Sequence, residues 1–207
     1  METGDPVRGE PVAVLLAAGA GRRLGLGPKA LLRHRGRPLV EHAVAVLREG
    51  GCRRIVVVLG AGAEQVAAGA VLDGCTVLRN PDWATGMGSS LRTALAALPA
   101  EAPGATAALV ALVDTPGVGP AAVARLLAAH AAGAELAAAA YAGVRGHPVL
   151  IGARHWAEAA AGAVGDAGAR ALLRAHADTL ELVECGDVAV PDDIDTPEAW
   201  AAWSSRA

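Results

Sequence analysis

Arg22, Arg23 and Lys29 stand in a loop punctuated by Gly19, Gly21, Gly25 and Gly27, and the apolar run 12–16 empties straight into it. Glycine lets the backbone approach a ligand closely and adopt positive φ, so successive N–H groups can face one anion. Arg23 offers a planar fork to phosphate oxygens, and Lys29 a point charge on a flexible stem. This set suits a nucleoside triphosphate; the same residues would also serve as a plain strand-to-helix turn. The spacing Gly19-x-Gly21-x-x-x-Gly25 departs from the dinucleotide fingerprint, and the next apolar run ends in Gly60 with no acidic residue for a ribose. Lys29 lies between Pro28 and Ala30, so the hydroxyl of a P-loop is missing too.

Two carboxylate positions could complete such a site. Asp114 follows the apolar run 108–113, at the carboxyl end of a strand, where an α/β sheet presents ligand groups and where one carboxylate can hold Mg²⁺. Capping of the following turn is the plainer use of that Asp. Asp193 and Asp195 are two apart, on one side of an extended segment. Asp195 or Thr196 would equally N-cap the last helix, with Glu198 in its first turn. In Gly86-Met-Gly-Ser89-Ser90 small residues lead into a helix, and its N–H groups and hydroxyls can hold a base edge or a phosphate. A serine N-cap would look the same. His147, between Gly146 and Pro148, reads as a turn residue; Arg33, Arg35 and Arg37 read as surface charge.

These groups need elements to place them. The runs 12–16, 55–59 and 108–113 are apolar on both faces, as buried parallel strands are. Leu39–Glu49 carries a helical apolar face behind Pro38, which completes a β-α-β unit and points to an α/β doubly wound, Rossmann-like, mostly parallel sheet. A short strand is expected over 75–78, and helices over 89–98, 120–132, 169–177 and 196–203. Leu136–Tyr141 and 149–151, flanking a turn over 143–147, read as a hairpin-like insertion. At 207 residues the chain fits one domain over 12–207, with residues 1–11 a disordered or loosely ordered N-terminal segment. Net charge is −3 and no basic cluster interleaved with aromatics occurs, so a nucleic-acid partner is not indicated. Three scattered cysteines make neither a disulfide framework nor a zinc motif. The polar first eleven residues are unlike a signal peptide, and no apolar run reaches the ~20 residues of a membrane span, so a cytoplasmic protein without a membrane partner is expected.

Read together, Leu16-Ala17-Ala18-Gly19-x-Gly21-x-Arg23-x-Gly25 with Pro28-Lys29 resembles the signature of nucleotidyltransferases that move NMP from an NTP to a phosphorylated acceptor. Asn80-Pro-Asp-Trp-Ala-Thr-Gly86-Met-Gly-Ser89-Ser90, Val113-Asp114-Thr-Pro116, Gly146-His147-Pro148, Gly165-Asp166-Ala-Gly168-Ala-Arg170 and Asp193-Ile-Asp195-Thr-Pro197 are similar to the molybdenum cofactor cytidylyltransferase branch. The resemblance spans about residues 12–200. It implies CTP and molybdenum-bound molybdopterin as substrates, and pyrophosphate as a product. It further implies Mg²⁺ on Asp114 and Asp195, and a product passed to a molybdoenzyme or its maturation factor. Residues 16–19, Gly21, Arg23, Lys29, Gly86, Ser89 and Ser90 would then hold the nucleotide, with Lys29, Arg23 and Asp114 catalytic. His147, Pro148, Asp166 and Arg170 would face the acceptor, and Ala18 fits the cytidine users. Gly21, Leu24 and Thr115 depart from the residues usual in that branch, leaving another phosphorylated acceptor, or a non-catalytic nucleotide-binding module, as the alternatives.

Overall fold

The computed structural model describes residues 9–205. The chain runs β1 (Val12–Ala17), a small hairpin of β2 (Arg33–His34) and β3 (Arg37–Pro38), α1 (Leu39–Glu49), β4 (Ile55–Leu59), α2 (Ala63–Gly69) and β5 (Thr76–Arg79). It continues through α3 (Met87–Glu101), β6 (Ala107–Leu112), α4 (Pro120–Ala131), β7 (Leu136–Tyr141), β8 (Val144–Gly152) and α5 (Trp156–Gly162). It ends with α6 (Arg170–Ala175), β9 (Glu181–Glu184) and α7 (Pro197–Ser204). Seven strands form one sheet in the order β5-β4-β1-β6-β8-β7-β9.

Strand alternation builds two cores. Ala13, Leu15, Val57, Leu59 and Leu109 face one side, against Leu39, Val44 and Leu47 of α1, Val66 of α2 and Leu126 of α4. Val12, Val14, Val56, Val58 and Val110 face the other, against Leu91, Leu95 and Leu98 of α3, Ala159 of α5 and Leu172 of α6. Every side chain of β1 and β4 is buried, which is why they read as unbroken apolar runs. The chain leaves β1 toward β4 and β5, then crosses back through α3 to β6 on the other side of β1. That reversal opens a crevice at the carboxyl ends of β1 and β6, which pair in parallel from Val12↔Ala108 to Leu16↔Leu112.

Two expectations change. The segment read as an inserted hairpin belongs to the main sheet: β8 pairs antiparallel with both β6 and β7. Its turn is the two residues Ala142 and Gly143, both at positive φ, which suits the right-handed twist of the flanking strands. His147 and Pro148 therefore lie inside β8 and not in a turn. Of the N-terminal segment expected to be disordered or loosely ordered, residues 1–8 lie outside the described residues. Gly9 and Glu10 are held: Thr106 Oγ1 donates to the Gly9 carbonyl and Arg54 to that of Glu10, both at 3.0 Å. Among the described residues no helix is long and apolar enough to cross a membrane.

Candidate active site

A cleft of about 380 Å³ occupies the crevice between β1 and β6. One wall is the glycine loop. Gly21, at φ +62°, accepts from the N–H groups of Leu24 and Gly25, both at 3.0 Å, and so folds Arg22 and Arg23 back over the cleft. The chain then enters a one-turn 3-10 helix, Lys29–Leu31, behind Pro28. That turn sets Lys29 inward with only 8% of its surface exposed.

The opposite wall carries the carboxylates. Asp114 stands two residues beyond β6, and its carbonyl accepts from Ile194 N at 2.8 Å. Ile194 is buried in the first core, so this bond pins the C-terminal segment beside Asp114 and turns Asp195 into the cleft. Lys29 Nζ donates to Asp114 Oδ2 at 2.7 Å and also to Asp195 Oδ1. Arg23 Nη2 reaches Asp195 Oδ2 at 2.5 Å from the rim, where its side chain is 75% exposed. Burial works against the Lys29 charge, but Asp114 and Asp195 outweigh it and hold the ammonium above its ordinary pKa. Burial likewise opposes the Asp195 charge, and Lys29 and Arg23 override it, keeping the carboxyl below its usual range. Asp193, hydrogen-bonded to Asp195, is raised by burial and by Asp195 and Asp114. Thr196 does N-cap α7, accepting from Ala199 N at 3.2 Å, so Asp195 is released from the capping role.

The floor is the start of α3. Gly86, at φ +113°, backs onto the turn Gly165–Ala167; a Cβ there would stand 2.8 Å from Asp166 Oδ1. Asp166 accepts from Met87 N at 3.3 Å and lines the cleft. Neither serine is an N-cap, since Gly86 holds that place. Both sit in the first turn and are buried: Asn80 Nδ2 donates to Ser89 Oγ at 2.7 Å and to Ser90 Oγ at 2.9 Å. Ser90 lines the cleft, whereas Ser89 turns its hydroxyl to the carbonyls of Asp82 and Gly86.

The cleft therefore gathers Leu16, Ala18, Gly19, Gly21, Arg23, Lys29, Gly86, Ser90, Asp114, Asp166 and Asp195. Ala17 closes β1 and is buried in its core, and Arg170 is an exposed residue at the start of α6, outside the lining. His147 opens onto a neighbouring recess of about 330 Å³, with Thr115, Tyr141, Arg145 and Asp193; Leu112 lines both recess and cleft. Pro148 lines a small apolar pocket beside it. Burial lowers the His147 pKa, with Arg145 adding to the effect and Asp114 opposing it, so the imidazole is neutral at pH 7. Sequence reasoning passed over Trp83 and Met87 as individual site residues, and left Arg22 as either phosphate-facing or solvated. The Arg22 guanidinium stands 5.7 Å from the Trp83 ring centroid, and both line the cleft. The signal was the Trp itself, one of four in the chain, set in a polar turn where no core explains it.

Known proteins resemble this chain in sequence and in fold. Residues 13–180 match the MobA-like NTP transferase domain. The chain is 45% identical to Nicotine blue oxidoreductase of Paenarthrobacter nicotinovorans over 192 residues, covering 89% of this chain and 92% of that one. The homologue of Mycobacterium tuberculosis Rv0371c from Mycobacterium sp. strain JC1 superposes with a TM-score of 0.80 at 31% identity, over 94% of this chain and 95% of that one. Rv0371c of M. tuberculosis H37Rv, in complex with manganese, gives 0.78 at 30% identity over 96% and 100%. With a glycine loop, a buried lysine and two converging carboxylates at the switch point of a doubly wound sheet, the chain belongs to the MobA-like NTP transferase family.

Proposed function

We propose that the protein transfers CMP from CTP to the terminal phosphate of molybdenum-bound molybdopterin, releasing pyrophosphate. One observation carries the reading: Lys29 Nζ is shared by Asp114 and Asp195 at the carboxyl ends of β1 and β6. Two carboxylate oxygens that converge on one nitrogen also converge on one cation, and both are hard donors suited to Mg²⁺ or Mn²⁺. When bound there, the ion supplies Lewis-acid neutralisation of the phosphoryl oxygens.

The acceptor phosphate is already anionic near neutral pH and needs no general base. Its oxygen attacks the α-phosphorus of CTP, and the bond to the pyrophosphate oxygen breaks with its electron pair. Lys29 and Arg23 supply fixed positive charge to the triphosphate, and the loop 18–23 positions it. Trp83 and Arg22 offer a flat, cationic wall for the base, with Ser90 beneath. The recess beside Leu112, where the neutral His147 stands, takes the pterin end. A reaction of this kind would run where CTP is, in the cytoplasm.

A second reading has the 45% identity to an oxidoreductase behind it. On that reading the cleft binds a dinucleotide and transfers hydride, and the carboxylates serve only to fix Lys29. Pyrophosphate release from CTP, GTP, ATP and UTP, with Mg²⁺ or Mn²⁺ and with or without molybdopterin, separates the two. Release from CTP that requires the pterin is expected, and Asp114→Ala should nearly abolish it. Nucleotide binding without release from any NTP would overturn CMP transfer to the pterin, leaving another phosphorylated acceptor or a non-catalytic nucleotide-binding module. Oxidation of a reduced nicotinamide cofactor would then establish the second.

A further inference from the structure

Away from the cleft, three side chains converge where α5 meets α6. His155 closes the 3-10 turn Ala153–His155, Glu158 lies in the first turn of α5, and His176 caps the end of α6. His176 Nε2 stands 3.0 Å from both carboxylate oxygens of Glu158. His155 Nδ1 is 3.7 Å from Glu158 Oε2, and the two imidazoles meet edge to face with centroids 4.9 Å apart. One ligand atom from each residue lies within 4.8 Å of the other two.

We propose that His155, Glu158 and His176 form a second metal site, distinct from the cleft, which takes a divalent ion of the Zn²⁺ class. Two imidazoles and one carboxylate are the donor set that favours late first-row ions over Mg²⁺. With metal–ligand bonds of about 2.0–2.1 Å, ligands around a tetrahedral ion stand roughly 3.3 Å apart. The His176–Glu158 pair is near that spacing already, and the remaining gaps close with rotation of partly exposed side chains. Three protein ligands leave a fourth position for water.

Arg154 sets the resistance of the site. Its Nε donates to His155 Nε2 at 3.1 Å, so the neutral ring carries its proton on Nδ1, the nitrogen that faces Glu158. Ligation through Nδ1 moves that proton to Nε2 and dislodges Arg154. The bound ion would tie the start of α5 to the end of α6, the two helices that flank the turn holding Asp166 at the cleft wall. Binding itself does not depend on the function proposed above.

The test is a Zn²⁺ titration of the untagged, chelator-stripped full chain carrying Asp114→Asn, Asp195→Asn and Cys75→Ser, which removes the two carboxylates that meet at Lys29 and the least buried thiol. The expected result is one Zn²⁺ per chain, undisturbed by a large excess of Mg²⁺. Glu158→Gln and His176→Gln should each weaken it by roughly tenfold or more. Arg154→Ala should tighten it, because the competing bond is gone. Co²⁺ should give a visible spectrum that Glu158→Gln abolishes. Glu158 is 51% exposed and Gln keeps its shape, so this variant reports on ligation and not on folding. Absence of Zn²⁺ binding, or an affinity indifferent to Glu158→Gln, would overturn the proposal.

Discussion

Lys29→Met removes one charge while keeping the volume of the side chain, and its consequence runs opposite to intuition. In the native cluster the ammonium occupies the point where the Asp114 and Asp195 oxygens meet. Both oxygens bond one nitrogen, so they stand no more than about 5 Å apart, a separation at which two negative charges repel by ~3 kcal/mol at an effective dielectric constant near 20. Arg23 at the rim and solvent reduce this to ~1.5–3 kcal/mol. A divalent cation bound to the variant relieves that repulsion, and it has no ammonium to displace. Mn²⁺ should therefore bind Lys29→Met about 10- to 100-fold more tightly than wild type. Pyrophosphate release should nevertheless fall by roughly 10²- to 10³-fold, because a preorganised donor to the triphosphate is gone. Without cation, the melting temperature should drop by about 4–9 °C and recover on adding Mn²⁺. Calorimetric titration of nucleotide-free protein at mildly alkaline pH reads the affinity directly. If a folded Lys29→Met bound Mn²⁺ no better than wild type, the carboxylates would be anchors for the lysine and not the seat of a cation.

Gly21 sits at φ +62° and a Cβ there would run into the Gly27 carbonyl, so Gly21→Ala should weaken NTP binding by about tenfold or more, and an unchanged KM would refute this role. Asn80→Leu strands the partners of one buried amide, two serine hydroxyls and the Asp82 N–H, at a cost of about 2–4 kcal/mol in denaturant unfolding. A loss below ~0.5 kcal/mol would show that those groups re-pair within the first turn of α3. The cluster's share of stability has two limbs. Asp195 titrates below its unfolded value of ~3.9, so its contribution is present above that pH and lost as pH falls through the depressed folded value. Lys29 titrates above its unfolded value of ~10.4, so its contribution is present below that pH and lost as pH rises through the folded value. Thermal melts across pH should show the alkaline limb vanish in Lys29→Met.

The strongest apolar signals gave the most accurate elements. Ile55–Leu59 and Leu39–Glu49 match their expected bounds, because a buried strand and a one-faced helix leave unmistakable patterns. Glu181–Glu184 left none: β9 is an edge strand with mostly exposed side chains, held to β7 by its backbone. The place of β8 was hidden for another reason. Its first half, Val144 to His147, is exposed or half-buried and pairs with β7 beyond the reach of β6, so only residues 149–151 carried a strand pattern. Among site residues, Lys29 and Arg23 could be read from charge within a glycine loop. The meeting of Asp195 with Asp114 could not be read from spacing, since 80 residues separate them and a single buried Ile194 brings the segment back. Ser89 and Ser90 look alike in sequence, and the helix phase alone sends one into the cleft and the other toward Asp82.

The identity to Nicotine blue oxidoreductase makes the carboxylate pair the deciding feature, because one fold hosts unrelated reactions and the site distinguishes them. Hydride transfer needs a flat pocket and a fixed cofactor; it gains nothing from two carboxylates drawn around a buried ammonium. Such a cluster has a cost, since three charges are partly withdrawn from water and must be held by exact partners. Phosphoryl transfer gives it a use. On the proposed reading Asp195, kept ionised by Lys29 and Arg23, is ready for a divalent cation, and Lys29 holds its positive charge for the triphosphate. A chain that only bound a dinucleotide would be as stable with an apolar residue at position 29 and an amide at position 195. A Lys29→Met, Asp195→Asn double variant that kept full activity would place this protein with the oxidoreductase; loss of pyrophosphate release with nucleotide binding intact would place it with the transferases.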